Sequence, residues 1–299
     1  MVLPFVSVII PVYNNSKALV SCLNAVLAQN YPPIAFEVII IDNASNPPLE
    51  LPESDCEWPS VTVVIEKRAG SYAARNRGIV LAKGDILAFT DADCLPTKNW
   101  LRSATERLAN EPHNTVLGGQ IGVFPKVIQK PTPIEIYDMN FGLRQARYVQ
   151  AYGFAATANL IASRQAFEVV GKFNPELKSG GDLEWGVRAG SKGFRIVYAP
   201  EVVVQHPARQ SLTTILSKIR RTAGGHHDLR ASADGRLDLN HRKNKRFKLI
   251  MESSKQMIHI QRRFGVPTFL CVIGVAASTV AVRVMEWTQL LLGRYSLRQ

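Results

Sequence analysis

In the first third of the chain, short unbroken apolar runs alternate with longer stretches of helical spacing. "FVSVIIPV", residues 5–12, is apolar and largely β-branched, the pattern of a strand buried on both faces. "SKALVSCLNAVLAQN" comes next, with Leu19, Leu23, Val26 and Leu27 about one turn apart and Ser16 positioned as an N-cap. "FEVIIID" and "VTVVIE" repeat the strand signature, "SYAARNRGIVLAKG" predicts a helix closed by Gly84, and "DILAFTD" predicts a fourth strand. Strands alternating with helices predict an α/β fold, a mostly parallel, twisted, doubly wound sheet flanked by helices. Such sheets bind ligands beyond the carboxyl ends of their strands. Polar residues gather there: Tyr13 and Asn14 after the first strand, Asp42 at the end of the second, Asp91 and Asp93 after the fourth.

The middle of the chain is less regular. "LGGQIGVF" predicts a strand, "KPTPIEIYDMNFG" a loop leading into a helix, and "RQAFEVVGKF" a short helix ending at Gly171. "SGGDLEWGVRAGSKG" sets Asp182 at the mouth of a helix that stops by Gly190 or Gly193. "FRIVYAPEVVVQHP" predicts one or two strands and delivers His206 to a strand end. From Pro207 the character changes to basic, helix-compatible and finally apolar. The expected division is therefore residues 1–206 as one α/β domain, 207–263 as a basic helical segment, and 264–299 as an apolar and amphipathic tail.

Charge sharpens that division. The formal charge is +12, and residues 207–265 hold 14 Lys and Arg against 4 Asp and Glu, a net +10. A basic tail on a near-neutral body points to an anionic surface. Few aromatics interleave with the basic residues, so no nucleic-acid partner is expected. Phe264 to Val282 is an uncharged run of 19 residues bordered by Arg262, Arg263 and Arg283. A bilayer span needs roughly 20 apolar residues, so this run suits a single span, an interfacial helix or a core helix. With its basic flank it predicts attachment to the cytoplasmic face of a membrane. The four scattered cysteines, Cys22, Cys56, Cys94 and Cys271, form no C-x-x-C pair, which argues against zinc and disulfides and fits a reducing compartment. "MVLPFVSVIIPVY" has no basic leader and reads as a first strand, not a signal peptide.

The loops after the strands exclude several chemistries. There is no G-x-x-x-x-G-K-[ST] loop, no G-x-S-x-G elbow, and "YNNSK" stands where a dinucleotide fold would carry G-x-G-x-x-G. The pair His226-His227, beside two glycines, reads as a solvated loop. "FTDADCLP" sets Asp91 and Asp93 one residue apart at a strand end, as a turn or as the holder of a divalent metal for a phosphate-bearing substrate. Asp42 suits either an Asx turn or acceptance of hydrogen bonds from a nucleoside. Arg75 suits either a solvated helix face or contact with base, ribose or phosphate, and Asp182 either an N-cap or a functional carboxylate.

Taken together, "VSVIIPVYNN", "IIIDNAS", "AARNRGIVLAKGDILAFTDADCLP" and the stretch from "TANLIASRQAFEVVGKF" to "APEVVVQH" resemble glycosyltransferase family 2 with its Rossmann-like GT-A fold, over about Pro4 to His206. The resemblance implies an inverting enzyme that uses a nucleotide-diphosphate sugar, UDP-linked by default, and a divalent cofactor, Mn²⁺ or Mg²⁺. It implies that Pro11, Tyr13, Asp42 and Arg75 bind the nucleoside and that Asp91 holds ribose or metal. Asp93 matches the principal metal ligand, His206 a further ligand, and Asp182 the general base. Gly181 stands where the family's E-D pair carries Glu, and Arg188 matches a structural helical Arg. The Q-x-x-R-W motif of processive synthases is absent, so single addition to a glycan or lipid-linked acceptor is expected, in polysaccharide or cell-envelope synthesis. The competing readings are a sugar-1-phosphate nucleotidyltransferase, which would want a Gly-rich basic loop where "PVYNNSKA" stands, and a catalytically inactive, scaffold-like relative.

Overall fold

The computed structural model describes residues 3–49, 59–232 and 243–291; Cys56, residues 233–242 of the basic segment and the last eight residues lie outside them. By internal packing the chain divides into two units, residues 1–122 with 145–206, and residues 123–144 with 207–299.

The first unit is built on an eight-stranded sheet. Its strands are β1 Val6–Val12, β2 Phe36–Asp42, β3 Ser60–Ile65, β4 Ile86–Thr90, β5 Leu95–Pro96, β6 Thr115–Phe124, β7 Asn159–Ser163 and β8 Arg195–Pro207, in the spatial order β3-β2-β1-β4-β7-β6-β8-β5. β1 lies between β2 and β4 and pairs parallel with both, Val12 opposite Asp42 and Val6 opposite Ile86. Because helices cover both faces, β1, β2 and β4 are buried along nearly their whole length, as their continuous apolar runs require. The sheet then becomes mixed. β7 runs antiparallel to β4 with Asn159 opposite Thr90, β6 runs antiparallel to β7, and β5 runs antiparallel to β8 with Leu95 opposite Gln205. The start of β7 therefore shares an edge of the sheet with the end of β4.

Helices α1 Ser16–Leu27, α2 Ser71–Leu81, α3 Trp100–Ala109, α5 Gln145–Tyr152, α6 Arg164–Val170 and α7 Gly181–Ser191 belong to this unit. Local details differ from the sequence reading. Asn15, not Ser16, flanks the start of α1, and Ser16 is already helical. α2 ends at Leu81, so Gly84 does not close it; the Gly84 N–H instead donates to Ser7 Oγ (2.7 Å). Ser7 Oγ–H in turn donates to the buried Glu37 carboxylate (2.6 Å), which also accepts the Lys83 N–H. β8 is one continuous strand, and α3, α5, β5 and β7 are elements that hydrophobic periodicity alone did not mark out.

The mixed half of the sheet is tied at one buried residue, Asn159 of β7. Its Oδ1 accepts the Trp100 indole N–H (2.9 Å), and its Nδ2 donates to the carbonyls of Gln120 (2.9 Å) and Val202 (2.8 Å). Its own carbonyl accepts Gln145 Nε2–H (2.9 Å). One side chain thus joins β6, β8 and α3 in a place where an unmade hydrogen bond has no water to replace it.

The second unit holds α4 Pro133–Phe141, α8 Leu212–Ser232 and α9 Lys243–Leu291. α4 opens with a full capping box: Thr132 Oγ1 accepts the Glu135 N–H while the Glu135 carboxylate accepts the Thr132 N–H. Asp138 accepts both the backbone N–H (2.9 Å) and the guanidinium (3.1 Å) of Arg209. His226 and His227, expected in a loop, lie within α8. α9 breaks at Gly265 (φ 80°, ψ 169°), which puts Pro267 in the first turn of a new helical stretch, where its missing N–H costs no helical bond.

Replacing Asn159 with Leu keeps the approximate volume but strands the Trp100 N–H and two carbonyls. Each buried unpaired group costs about 1–3 kcal/mol, so Asn159→Leu should lower stability by at least about 3 kcal/mol. A urea melt measures this as a fall in midpoint, and a loss below about 1 kcal/mol would show that the hub is dispensable.

Candidate active site

The parallel strand order reverses at β1, whose neighbours are β2 on one side and β4 on the other, and the crevice beyond the carboxyl ends of such strands is where α/β sheets take ligands. On the β2 side, Asp42 is 2% exposed, and its two oxygens accept the N–H groups of Ser45 (3.0 Å) and Leu49 (3.3 Å). It is an Asx-type anchor that shapes the loop after β2. That loop is clamped to the one after β1: Asn14 N–H donates to Ser45 Oγ (2.9 Å) and Asn46 N–H to Asn14 Oδ1 (2.8 Å). Pro11 is half-buried within β1, and Tyr13, just beyond it, is 63% exposed at the same edge. Asn43 extends the clamp. Its amide donates to the carbonyls of Glu66 and Arg68 and its Oδ1 accepts the Gly70 N–H, which fixes where α2 begins.

On the other side, Asp91-Ala92-Asp93 forms a turn closed by Cys94 N–H to Asp91 O (3.0 Å). The pairing of β5 with β8 then brings His206 back across the sheet, so that His206 Nε2 lies 3.6 Å from Asp93 Oδ2. Asp93, Cys94 and His206 each offer a ligand atom, and these atoms lie within 4.8 Å of one another. Burial, then the charges of Asp91 and Asp93, pushes the Cys94 thiol well above its ordinary pKa, so it stays protonated and weakly ligating. The remaining donors, a carboxylate and an imidazole with Asp91 close by, form a mixed oxygen and nitrogen set of the kind that ligates divalent metals.

Beside Asp91 lies a buried cation. Arg75 of α2 is 5% exposed and donates through Nη2 to Asp91 Oδ1 (2.5 Å). Burial works against its charge, but Asp91 and then Asp182 outweigh burial and raise its pKa. The Arg75 Nε–H is buried and has no hydrogen-bond partner among the described residues, a donor suited to an incoming acceptor. Its guanidinium carbon lies 5.8 Å from the ring centroid of Tyr72, one turn back on the same helix.

Asp182 is the second residue of α7. The N-cap position is Gly180, in the left-handed region (φ 84°), so Asp182 does not cap the helix. Its carboxylate turns inward and accepts Thr157 Oγ1–H (3.2 Å) and Thr157 N–H (3.4 Å). Burial raises its pKa, Arg75 opposes the rise, Asp91 adds to it and Thr157 opposes it, and the net effect is a carboxyl held above the ordinary range. The Asp182 N–H donates to Tyr72 Oη (3.3 Å). A Cβ on Gly181 would lie 2.7 Å from the Tyr72 ring, so no side chain fits there while Tyr72 keeps its place. Under α7, Phe167 stacks on Trp185 at 4.7 Å and Phe173 touches Tyr72, Phe89, Phe167 and Trp185, which seats the helix rigidly. Arg188 grips Glu184 bidentately through Nε and Nη2 and donates to the carbonyls of Val170 and Lys172, a structural tie.

The sequence reading did not single out Thr157, Tyr72 or Asn43. Thr157 carries no motif of its own and reaches Asp182 because β7 runs antiparallel beside β4. The one signal for Tyr72 was indirect, the glycine at position 181.

The sequence profile of glycosyl transferase family 2 matches residues 7–171. The glycosyltransferase AglE of Haloferax volcanii is 37% identical over 210 residues, which cover 69% of this chain and 68% of AglE. The backbone is similar to that of the mannosyltransferase PcManGT from Pyrobaculum calidifontis in complex with GDP-Man and Mn²⁺, with a TM-score of 0.62 at 18% identity, covering 99% of this chain and 89% of that one. It is also similar to S. aureus TarS 1-349 in complex with UDP-GlcNAc, with a TM-score of 0.51 at 18% identity, covering 93% and 81%. At those identities the structures speak for the fold, the GT-A arrangement of a curled sheet between helices. The profile, which spans more than half of the chain, and the likeness to AglE carry the assignment: the protein belongs to glycosyl transferase family 2 and is a glycosyltransferase.

Proposed function

We propose that the protein is a metal-dependent, inverting glycosyltransferase. It moves one sugar from a nucleoside-diphosphate donor, UDP-linked, to a hydroxyl of a glycan or lipid-linked acceptor in cell-envelope or polysaccharide synthesis. It works at the cytoplasmic face of a membrane that its basic and apolar tail engages. The observation that carries this reading is the arrangement at one edge of the sheet: Asp93 with His206 on one side, and the buried Arg75 shared between Asp91 and Asp182 on the other. The Mn²⁺ and nucleotide sugars named with PcManGT and TarS are those proteins' own and support the class of donor and ion.

In this reading Pro11, Tyr13, Asp42 and the clamped loops form the nucleoside pocket, and Arg75 offers its unpartnered Nε–H to the donor. Asp93 and His206 would hold a divalent ion, with Asp91 beside them, and the ion would supply positive charge to the departing nucleoside diphosphate. Asp182 takes the proton of the acceptor hydroxyl as its oxygen attacks the anomeric carbon from the face opposite the leaving group. A base needs affinity for that proton, and burial gives Asp182 more than an ordinary aspartate has. The two Thr157 hydrogen bonds hold the carboxylate in one orientation. Glycine at position 181 does not argue for an inactive relative, because the Tyr72 ring occupies that space and its hydroxyl meets the Asp182 N–H.

Asp182→Asn should leave donor affinity nearly unchanged while lowering turnover roughly 10²–10⁴-fold, the usual worth of a positioned base. Stability should move the other way. A folded-state pKa above the unfolded value means that stability is lost as pH rises through the folded pKa, so a neutral Asn should match or exceed the wild type in thermal melts at pH 7. The acid limb of the wild-type pH–rate profile should lie above about 3.9, the ordinary aspartate pKa. Glu184→Gln, which disturbs only the pairing with Arg188, should keep its turnover. Full activity in Asp182→Asn would remove the base assignment.

Asp93→Asn replaces a charged ligand by a neutral carbonyl. Thermal stabilisation by Mn²⁺ with UDP, and Mn²⁺-dependent hydrolysis of UDP- or GDP-linked sugars, should fall together. Undiminished activity at saturating Mn²⁺ would exclude the metal reading.

The full-length protein should sediment with vesicles containing anionic lipid, and 0.5–1 M salt should weaken that binding, because the Debye length falls from about 8 Å in physiological salt towards about 3 Å at 1 M. Protein that stays in the supernatant at low salt would exclude the membrane reading.

A further inference from the structure

The second half of α9 has two faces of opposite character. Val272, Val275, Thr279, Glu286 and Leu290 are buried, and they recur at intervals of three, four and seven residues, along one side of the helix. Val272 packs with Ile136 of α4, Val275 packs with Ile215 and Ile219 of α8, and Thr279 Oγ1 lies 3.0 Å from Tyr137 Oη of α4. Trp287 reaches the ring of His227 on α8 at 6.4 Å between centroids. The opposite side carries Val266, Leu270, Ile273, Val280 and Val284, each 39–61% exposed, with the small exposed Ala277 completing the row. At 1.5 Å per residue this apolar row is about 27 Å long. A soluble monomer rarely leaves so long a row of branched aliphatic side chains in water.

By length and composition α9 has a stretch, Lys255–Leu290, apolar enough to cross a membrane. Its packing argues otherwise. α9 touches α4 and α8 from Met257 to Trp287, so a crossing helix would draw those helices into hydrocarbon with it. α4 carries Asp138, paired with Arg209, and α8 carries Lys218, Arg220 and Arg221. Charged groups at such depth are costly and are tolerated chiefly in polar cavities or at helix ends. We propose that α9 from Val266 onward lies along the membrane–water interface, with the row from Val266 to Val284 immersed in lipid and the opposite face held by α4 and α8, and does not cross the bilayer. This deepens the proposed membrane attachment and rests on it.

The occupant of the row is argued from charge. Arg262 and Arg263 are exposed just before it and Arg283 is exposed beside it, within a tail whose residues 207–265 carry a net +10. A second copy docked through this row would bring two such tails together and repel itself, whereas an anionic headgroup layer neutralises them. The helix would sink about 5–10 Å, to the boundary between headgroups and acyl chains.

A nitroxide scan separates the arrangements. Single cysteines are placed one at a time from residue 268 to residue 285 in the full chain, with Cys56 and Cys271 changed to Ser and the buried Cys22 and Cys94 retained. Depth is read from the contrast between oxygen and a water-soluble nickel chelate on vesicles of phosphatidylcholine and phosphatidylglycerol. The expected profile oscillates with a period of about 3.6 residues, deepest at 270, 273, 277, 280 and 284, with no trend along the helix. A single broad maximum near residue 275, shallow at both ends, would mean a span and overturn the proposal. Labels already protected without vesicles, in a protein that sizes as a dimer, would assign the row to a second copy and also overturn it. Ile273→Glu with Val280→Glu should lower vesicle partitioning at least about tenfold while hydrolysis of nucleotide sugar in solution is unchanged; equal partitioning would again overturn it. Because hydrolysis is measured without lipid, a failure of the transferase reading appears in that assay alone.

Discussion

A guanidinium buried to 5% exposure sets the terms for the rest of this candidate site. Isolated, such a charge would be untenable in the interior, since desolvation of an ion costs far more than a single weak contact returns. Arg75 persists because Asp91 binds it directly and the field of Asp182 adds to that support. The dependence is mutual, because Arg75 also restrains the rise in the pKa of Asp182 that burial imposes. Three elements, α2, the end of β4 and α7, therefore cannot drift apart without leaving a charge unpaired. The aromatic cluster of Tyr72, Phe89, Phe167, Phe173 and Trp185 packs the same three elements from below, so apolar contact and charge pairing specify one geometry.

The topology of the sheet explains why these side chains collect at that point. Parallel strands β2, β1 and β4 deliver Asp42, Tyr13 and Asp91 to one edge because all three run the same way. Antiparallel β7 begins where β4 ends, which presents Thr157 to Asp182. β5 is only two residues long, yet its pairing with β8 is what sets His206 beside Asp93 across more than a hundred residues of chain. Asn159 holds this mixed half together by hydrogen bonds that no apolar residue of its size could replace.

The second unit obeys a different logic. Its helices share an apolar seam, beside which Asp138 and Glu286 are buried as well, while the opposite face of α9 exposes a row of apolar side chains. The break at Gly265 separates the basic approach from the apolar stretch, and Pro267 sits in the first turn of the new helical stretch without loss of a backbone bond. Hydropathy averaged over a window registers only that the stretch is apolar, which is why composition alone leaves spanning and interfacial arrangements open.

What the sequence by itself determined was local and periodic. Uniform β-branched runs marked β1 and β2, helical spacing marked α1 and α6, and the D-x-D at a strand end, with Asp42, Arg75, Asp182 and His206 in order, marked residues that the fold sets near the carboxyl ends of its parallel strands. Such features are legible because they depend on neighbours three or four positions away or on strand direction. Tertiary structure alone decided the rest. Asp42 proved to be an anchor of its loop, Asp182 turned inward instead of capping α7, and α8 absorbed a histidine pair that looked like loop. Glycine at 181 departs from the family's E-D pair, and only the Tyr72 ring that fills its place accounts for it. These outcomes rest on which distant groups are buried together, and the cost of an unpaired charge or a doubly occupied volume is set by partners that a linear pattern does not name.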